Sequence, residues 1–223
     1  AVKQAQVNGV NALVDGKLLK DMGVRRDGYD DTPRIGSLDE TPSPYIMGYL
    51  DKFLKDQKLV PLMESNRGCP FACAFCVDGI GARSKVNKAS VIRLKSELLY
   101  IVKRYSGKYL TLADTNFGMY EEDIEFCKVI AEVKNKYDYP HHLQVSTGKN
   151  KQERIIECAE LLNGSLRLSA SVQSLDAEVL KNTKRSNISY QALIDVSSRL
   201  SDTQANTYSE VILGFPSDSK EKF

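Results

Sequence analysis

From Val60 onward, short apolar runs alternate with amphipathic stretches, and this alternation limits the possible folds more than any other feature. Pro61-Leu62-Met63-Glu64-Ser65 reads as a strand. Ser90 is placed to cap a helix with apolar positions 91, 94, 98, 101, 102 and 105, closed by Gly107. Tyr109 to Asp114 is a strand, and Glu121 to Tyr137 a helix whose first-turn acids favour the dipole. His142 to Thr147 is a strand, Lys151 to Asn163 a helix ended by Gly164, and Leu166 to Gln173 a strand. Helices at Ala177–Lys184 and Tyr190–Leu200 precede a last strand, Thr207 to Leu213, which runs into Gly214-Phe215-Pro216. Five strands with four complete crossovers predict an α/β fold with a parallel sheet and right-handed connections. An open doubly wound sheet and a barrel both fit this pattern, and both bind ligands beyond the C-terminal ends of their strands.

The first part of the chain is different. Val10 to Leu18 suggests a small hairpin with Asp15-Gly16 as its turn, and Arg25 to Pro33 reads as a linker. Thr41-Pro42-Ser43-Pro44-Tyr45 is stiff and extended, and Tyr49, Leu50, Phe53 and Leu54 show brief helical spacing. The chain opens at Ala1 without Met and stops in Ser217-Asp218-Ser219-Lys220-Glu221-Lys222-Phe223, which reads as a helix start. Both ends suggest a fragment of a longer protein.

Apolar residues at 42% exclude a mainly disordered chain. Lys+Arg is 31 against Asp+Glu 29, a net charge of +2, which argues against nucleic acid or an anionic membrane as partner. No apolar run is long enough to span a bilayer.

The polar residues just past each strand are the ones to inspect. They are Cys69, Cys73 and Cys76 after the first; Asp114 and Asn116 after the second; Ser146, Thr147 and Lys149 after the third; Ser171, Gln173 and Ser174 at the fourth; and Glu210 and Gly214 at the fifth. Lys149 falls in a Lys-Asn-Lys run and reads as a solvated loop residue.

Five cysteines are present, three of them within eight residues. Cys127 lies on the stripe Ile124, Cys127, Ile130, Val133, and Cys158 lies near Ile155, Ile156, Leu161 and Leu162; both read as small core residues. The clustered three, in Gly68-Cys69-Pro70-Phe71-Ala72-Cys73-Ala74-Phe75-Cys76, point to metal ligation in a reducing compartment. Three thiolates on one loop can hold three irons of a [4Fe–4S] cube and leave the fourth open, with Phe71 and Phe75 shielding it from water. Three Cys with one distant Cys or His also satisfy a structural zinc site. The only histidines, His141 and His142, are adjacent and would project to opposite faces of a strand.

Cys-x3-Cys-x2-Cys after a first strand, with an aromatic before the last Cys, resembles the radical S-adenosylmethionine (radical SAM) superfamily. Leu112-Ala113-Asp114-Thr115-Asn116-Phe117 and Thr41 to Asp51 are similar to segments of its cobalamin-dependent members. Val172-Gln173-Ser174-Leu175-Asp176 with Lys184-Arg185 resembles a region shared with the methylthiotransferases, and Val211 to Pro216 a fifth-strand motif. Asp114-Thr115 stands where many members carry a Gly-Gly-Glu type motif, and Ser217-Asp218 where a Gly-Glu pair often follows.

The resemblance implies a partial (β/α)6 TIM-like barrel with five parallel strands present. Residues 60–223 form the C-terminally truncated core, and residues 1–59 are a linker and hairpin region joining an upstream cobalamin domain. Cys69, Cys73 and Cys76 are implied as ligands of a [4Fe–4S] cluster. Phe75 would pack beside the adenine of SAM, Asp114 meet the methionine amino group, Gln173 face the ribose and Arg185 meet the carboxylate. Gly214 would let the backbone approach the adenine, and Ser171 joins these cofactor-binding positions. The implied activity is reductive cleavage of SAM to a 5′-deoxyadenosyl radical, with methyl transfer where cobalamin is present. The implied partners are a small-molecule substrate and a one-electron reductant such as flavodoxin or ferredoxin, in the cytoplasm. Two further readings stay open: a methylthiotransferase acting on RNA or protein, and a zinc-stabilised barrel that only binds.

Overall fold

The computed structural model describes residues 13–14, 17–18, 35–169, 171–187, 194, 198 and 207–222. Strands β1 (Leu13–Val14) and β2 (Lys17–Leu18) pair antiparallel with Val14 opposite Lys17, so the expected hairpin is present. Its Asp15-Gly16 turn, the linker at 25–33 and most of the helix expected at 190–200 lie outside the described residues. Along the chain follow α1 (Asp51–Leu54), β3 (Leu62–Met63), β4 (Asn66–Arg67), β5 (Asn87–Lys88), α2 (Val91–Val102), β6 (Tyr109–Leu112), α3 (Glu121–Tyr137), β7 (His142–Gln144), α4 (Gln152–Leu162), β8 (Leu166–Ser169), α5 (Ala177–Asn182) and β9 (Thr207–Tyr208).

Strands β3, β6, β7, β8 and β9 form one parallel sheet in that spatial order. A doubly wound sheet reverses its strand order at a switch point, and this sheet never does. Sequential order is the order of a barrel wall, so the choice between the two architectures falls to a partial barrel. Each crossover returns to the next strand through a helix, and α2, α3 and α4 pack side by side outside the wall.

Helices α2, α3 and α4 form where the sequence predicts them, and α5 stops at Asn182, two residues short of the expected Lys184. The Ser90 hydroxyl accepts the Arg93 N–H at 3.2 Å and starts α2. That helix ends at Val102, three residues before the last position of its apolar stripe; Tyr105 packs instead against the Tyr139 ring, centroids 6.0 Å apart. Helix α3 has the predicted bounds, and Asp123 caps it by accepting the Gly118 and Tyr120 N–H groups at 2.8 and 3.0 Å. Asn163 and Gly164 close α4 in left-handed conformations, φ 39° and 77°.

The wall buries Leu110, Leu112, Leu143, Leu166 and Leu168 against Leu98, Ile101, Phe126, Ile130, Ile156 and Leu162 from the helices. Cys127 and Cys158 are free thiols fully buried in this layer and share a hydrogen bond, which with burial pushes the Cys127 thiol well up. Both therefore serve as core residues, as their stripes predict.

All five strands are shorter than the runs that predict them: β3 is Leu62–Met63 within 61–65, β6 stops at Leu112 short of Asp114, β7 stops at Gln144 short of Thr147, and the last two fall furthest short. The run from Leu166 reaches Gln173, but β8 stops at Ser169. The run from Thr207 reaches Leu213, but β9 stops at Tyr208, after which only Val211 bridges to Gln173. Gln173 itself sits at φ 64°, a left-handed conformation that no strand continues through. The end of the β8 run, with Glu210 from the β9 run, turns toward the cavity described below.

Residues 35–54 lie on the barrel. The Tyr45 hydroxyl accepts the Leu62 N–H at 3.0 Å and donates to the Leu62 carbonyl at 2.8 Å. Arg93 donates to the Leu38 carbonyl at 2.6 Å and pairs with buried Glu97 at 3.0 Å. Leu38, Tyr45 and Leu54 are buried with the core. Among the described residues, no helix is long and apolar enough to cross a membrane.

Candidate functional site

Strands β4 and β5 pair antiparallel, Asn66 opposite Lys88 and Arg67 opposite Asn87. This pair, which the sequence reading missed, closes the neck of the excursion carrying all three clustered cysteines. Inside it the backbone folds back on itself. Cys69 N–H donates to the Arg83 carbonyl at 2.8 Å, Cys76 N–H to the Cys73 carbonyl at 3.1 Å, and Gly79 N–H to the Cys76 carbonyl at 3.0 Å. Two glycines permit the close approach. Gly68 has φ 116°, and a Cβ there would lie 2.3 Å from the Lys85 carbonyl oxygen. A Cβ on Gly79 would lie 2.2 Å from the Cys73 carbonyl oxygen. Arg83 and Asp78 pair at 2.6 Å across the outer part of the loop, and Ala74 N–H ties its tip to the Thr183 carbonyl at 2.9 Å.

Behind the loop stands Asp114, just past β6 and 2% exposed. Its carboxyl accepts the Ser65 N–H at 2.8 Å, the Asn66 N–H at 3.3 Å, the Asn66 side-chain amide at 3.0 Å and the Ser65 hydroxyl. It clamps the end of β3 to β4, and so fixes where the cysteine excursion starts. Burial outweighs these donors and pushes its pKa up to about 7 from 3.8. The folded chain therefore holds a proton that the unfolded chain has lost between those values. This carboxyl's contribution to stability declines as pH rises through that window. We expect urea unfolding to show a larger loss of stability between pH about 5.5 and about 8 in the parent than in Asp114→Asn; equal pH profiles would contradict it. Asp114→Ala, which strands four donors, is expected to cost about 2–4 kcal/mol.

The three thiols border one cavity of about 260 Å3 at the C-terminal ends of the strands. Cys73 is 5% exposed, while Cys69 and Cys76 are partly exposed. The strand ends join them: Asn116 after β6; Ser146, Thr147 and Lys149 after β7; Ser171 and Gln173 after β8; and Glu210 after β9. Phe75 and Arg185 line it as well. Of the cofactor-binding positions read from sequence, the cavity thus brings together Phe75, Ser171, Gln173 and Arg185 with the three cysteines. Asp114 and Gly214 are not among its lining. Gly214 has φ 83° with open space where a Cβ would stand, and its N–H donates to Asp218 at 3.0 Å.

The lining groups are held in place. The Arg185 guanidinium donates to the Asn187 side chain at 2.7 Å and to the Ser171 carbonyl. Burial lowers its pKa, and the Cys73 and Cys76 sulfurs oppose that shift. The Phe75 ring packs on buried Phe215 with centroids 4.8 Å apart. Glu210 accepts the Ser171 hydroxyl at 2.6 Å. The Gln173 backbone bonds Glu210 and Ile212, while its side-chain Oε1 is buried without a partner.

One lining residue was read differently from sequence, and Asn187 is among those the sequence did not single out. Lys149 is not a solvated loop residue: its Nζ lies 3.0 Å from Cys73 Sγ and 4.3 Å from the centre of the Phe71 ring. Its position directly past the third strand was the available signal. Asn187 bonds the Val172 and Ser174 carbonyls at 2.6 and 2.8 Å and holds the Arg185 fork; no motif marks it. Asn116, read from sequence only as a polar strand end, donates to Cys69 Sγ at 3.3 Å.

The family model described as the Radical SAM superfamily matches residues 63–223. A cobalamin-dependent radical SAM methyltransferase, TokK of Streptomyces tokunonensis, is 31% identical over 201 residues, covering 85% of this chain and 29% of that protein. The 2-(S-pantetheinyl)-carbapenam-3-carboxylate methyltransferase of Streptantibioticus cattleyicolor is 32% identical over 195 residues, 82% of this chain and 28% of that protein. The chain therefore spans under a third of either relative. Among solved structures, the radical SAM methyltransferase TsrM from Kitasatospora setae, with tryptophan and a SAM analogue bound, aligns at TM-score 0.62 and 14% identity, over 79% of this chain and 33% of that one. The cobalamin-dependent radical SAM enzyme OxsB aligns at TM-score 0.57 and 19% identity, over 85% of this chain and 29% of that one.

Proposed function

The chain belongs to the radical SAM superfamily, and from that premise we propose that it is the core of an enzyme in which Cys69, Cys73 and Cys76 hold a [4Fe–4S] cluster beside bound SAM. What carries this is the meeting of three thiols from one loop with the strand-end polar groups around a single cavity.

The residues fit such a group. A cube binds each cysteine through a different iron, so its thiols must surround a volume rather than converge on a point. The unpartnered Gln173 Oε1 is the kind of buried acceptor that a ligand hydroxyl completes. When bound, cluster and SAM supply a 5′-deoxyadenosyl radical by one-electron cleavage of the sulfonium.

The chain's own work is to bind, orient and exclude water. Arg185, held by Asn187 and the Ser171 carbonyl, keeps the rest of its donor fork for the methionine carboxylate. Gln173 accepts from the ribose, Ser171 closes the same strand end, and Phe75 backed by Phe215 offers its face to the adenine. Gly214, outside the lining and bonded to Asp218, shapes the turn after β9 in this reading and is not assigned an adenine contact. The proposed role of Asp114 moves. Buried behind the loop, it positions the cysteines instead of touching the methionine amino group. Thr115 and Asn116, the next two residues, both line the cavity and are the polar groups nearest in sequence that a ligand can reach.

Methyl transfer is the favoured outcome, because curated relatives that align over most of this chain are named methyltransferases. In this reading the segment up to residue 59 leads from a cobalamin domain to the core. A small substrate enters from above the cavity, and an external one-electron donor of the flavodoxin or ferredoxin kind supplies the electron.

The test is metal analysis of the full-length protein reconstituted without oxygen. About four iron and four sulfide per chain are expected; a colourless protein with a single zinc would contradict the proposal. Gln173→Leu is expected to weaken SAM binding to the reconstituted protein by about 1–3 kcal/mol, read by calorimetry. Unchanged affinity would remove Gln173 from the ligand site.

A further inference from the structure

We propose that Lys149 is a positioning residue for charge: through Cys73 it raises the reduction potential of the cluster. This rests on the cluster assignment above and adds a role that the three-cysteine motif does not specify.

The three sulfurs have unlike surroundings. Cys69 receives a neutral amide from Asn116 at 3.3 Å. Cys73 receives the Lys149 ammonium at 3.0 Å and also faces the Arg185 guanidinium, whose charge reaches Cys76 as well. Lysine ordinarily extends into water. Here the ammonium turns inward and lies between a sulfur and the face of Phe71, 4.3 Å from the ring centre. Nearby carboxylates are engaged elsewhere, Glu210 with Ser171 at 2.6 Å and Asp78 with Arg83 at 2.6 Å. Among the described residues Lys149 has no ion pair to a carboxylate. The backbone beneath it is fixed, since Gly148 N–H donates to the Phe117 carbonyl at 2.9 Å and a Cβ on Gly148 would lie 2.3 Å from Met119.

Reduction moves one electron from an external low-potential donor onto the cluster; no bond forms or breaks. The reduced form carries one more negative charge, so a cation beside a ligating sulfur stabilises it more than the oxidised form. Cys73 is 5% exposed, so solvent screens the interaction weakly.

The experiment uses the full-length protein reconstituted anaerobically, as parent, Lys149→Met, Lys149→Gln and Lys149→Arg, each titrated against ambient potential by electron paramagnetic resonance without SAM. Iron and sulfide are counted in every sample. Met and Gln are expected to keep the cluster and titrate at more negative potential. Where the parent is half reduced, their reduced-to-oxidised ratio should fall about tenfold, a shift of about 59 mV. Arg, which keeps the charge, should stay near the parent. If Met does not retain iron, Gln gives the same comparison with a hydrogen-bond donor preserved. Neutral variants that hold the cluster and titrate with the parent overturn the proposal, and do so equally if SAM affinity alone is lost. A parent without iron overturns the cluster assignment and this proposal together, and is recognised before any potential is measured.

Discussion

Cys73→Ala in the full-length protein is expected to abolish formation of 5′-deoxyadenosine from SAM and to leave a preparation depleted of iron. Cys73 is the most buried of the three thiols, its carbonyl is the contact that excludes any side chain from residue 79, and its sulfur faces both Lys149 and Arg185. Alanine removes the ligand and leaves two cations in a partly closed cavity without their anion, a costly arrangement. Cys69→Ala and Cys76→Ala should also abolish turnover. The check is product analysis after anaerobic reconstitution, beside an iron count. Turnover at the parental rate in any of the three would falsify the ligand assignment.

Gly79→Ala is expected to have nearly as large an effect on cluster content without touching a ligand. The added carbon would stand 2.2 Å from the Cys73 carbonyl oxygen and 3.0 Å from its carbon. Both are backbone atoms in a loop pinned by Arg83, Thr183 and the β4–β5 pair, so the loop itself must shift. Overpacking of this kind costs about 1–3 kcal/mol, and here the displacement falls on the residue carrying a sulfur. Gly81→Ala is the matched control, because nothing lies within 4 Å of a Cβ at that position. Iron and sulfide should drop to a small fraction of the parent in Gly79→Ala and stay at the parental level in Gly81→Ala. Equal cluster content in both would mean that the loop's shape does not govern ligation.

Much of the architecture was legible because it rests on local patterns. The stripe of α3 and the Ser90 cap each depend on a few neighbouring residues, and the structure keeps them. Barrel or open sheet was not legible, since both share one alternation; the unbroken order β3-β6-β7-β8-β9 separates them. The ends of the last two strands were misjudged for a physical reason. Val172 is as apolar as a strand residue and as buried, yet it sits beside Gln173 at φ 64° in a chain that has left the sheet. For the β8 run, burial in the cavity wall imitates burial in a strand; the β9 run ends in Val211, Ile212 and Leu213, which are apolar yet exposed.

The site divides along the same line. Three cysteines in one loop announce themselves, since few uses of that spacing exist. Asp114 showed only that a carboxyl follows a strand. Which way it faced depended on Ser65 and Asn66, nearly fifty positions earlier, and those turn it toward the loop's root. Lys149 was hidden by composition: a lysine among Lys and Asn is ordinarily solvated, and only the sulfur and ring brought to it by the fold give it another place.

The central claim is that three of four irons are tied to the chain while the fourth meets SAM. The most direct measurement is electron–nuclear double resonance on the reduced, full-length protein with SAM labelled with nitrogen-15 at its amino group. A strong hyperfine coupling between that nitrogen and the cluster is the result expected if one iron is open. A reduced cluster whose spectrum is the same with and without the labelled nucleoside would contradict it.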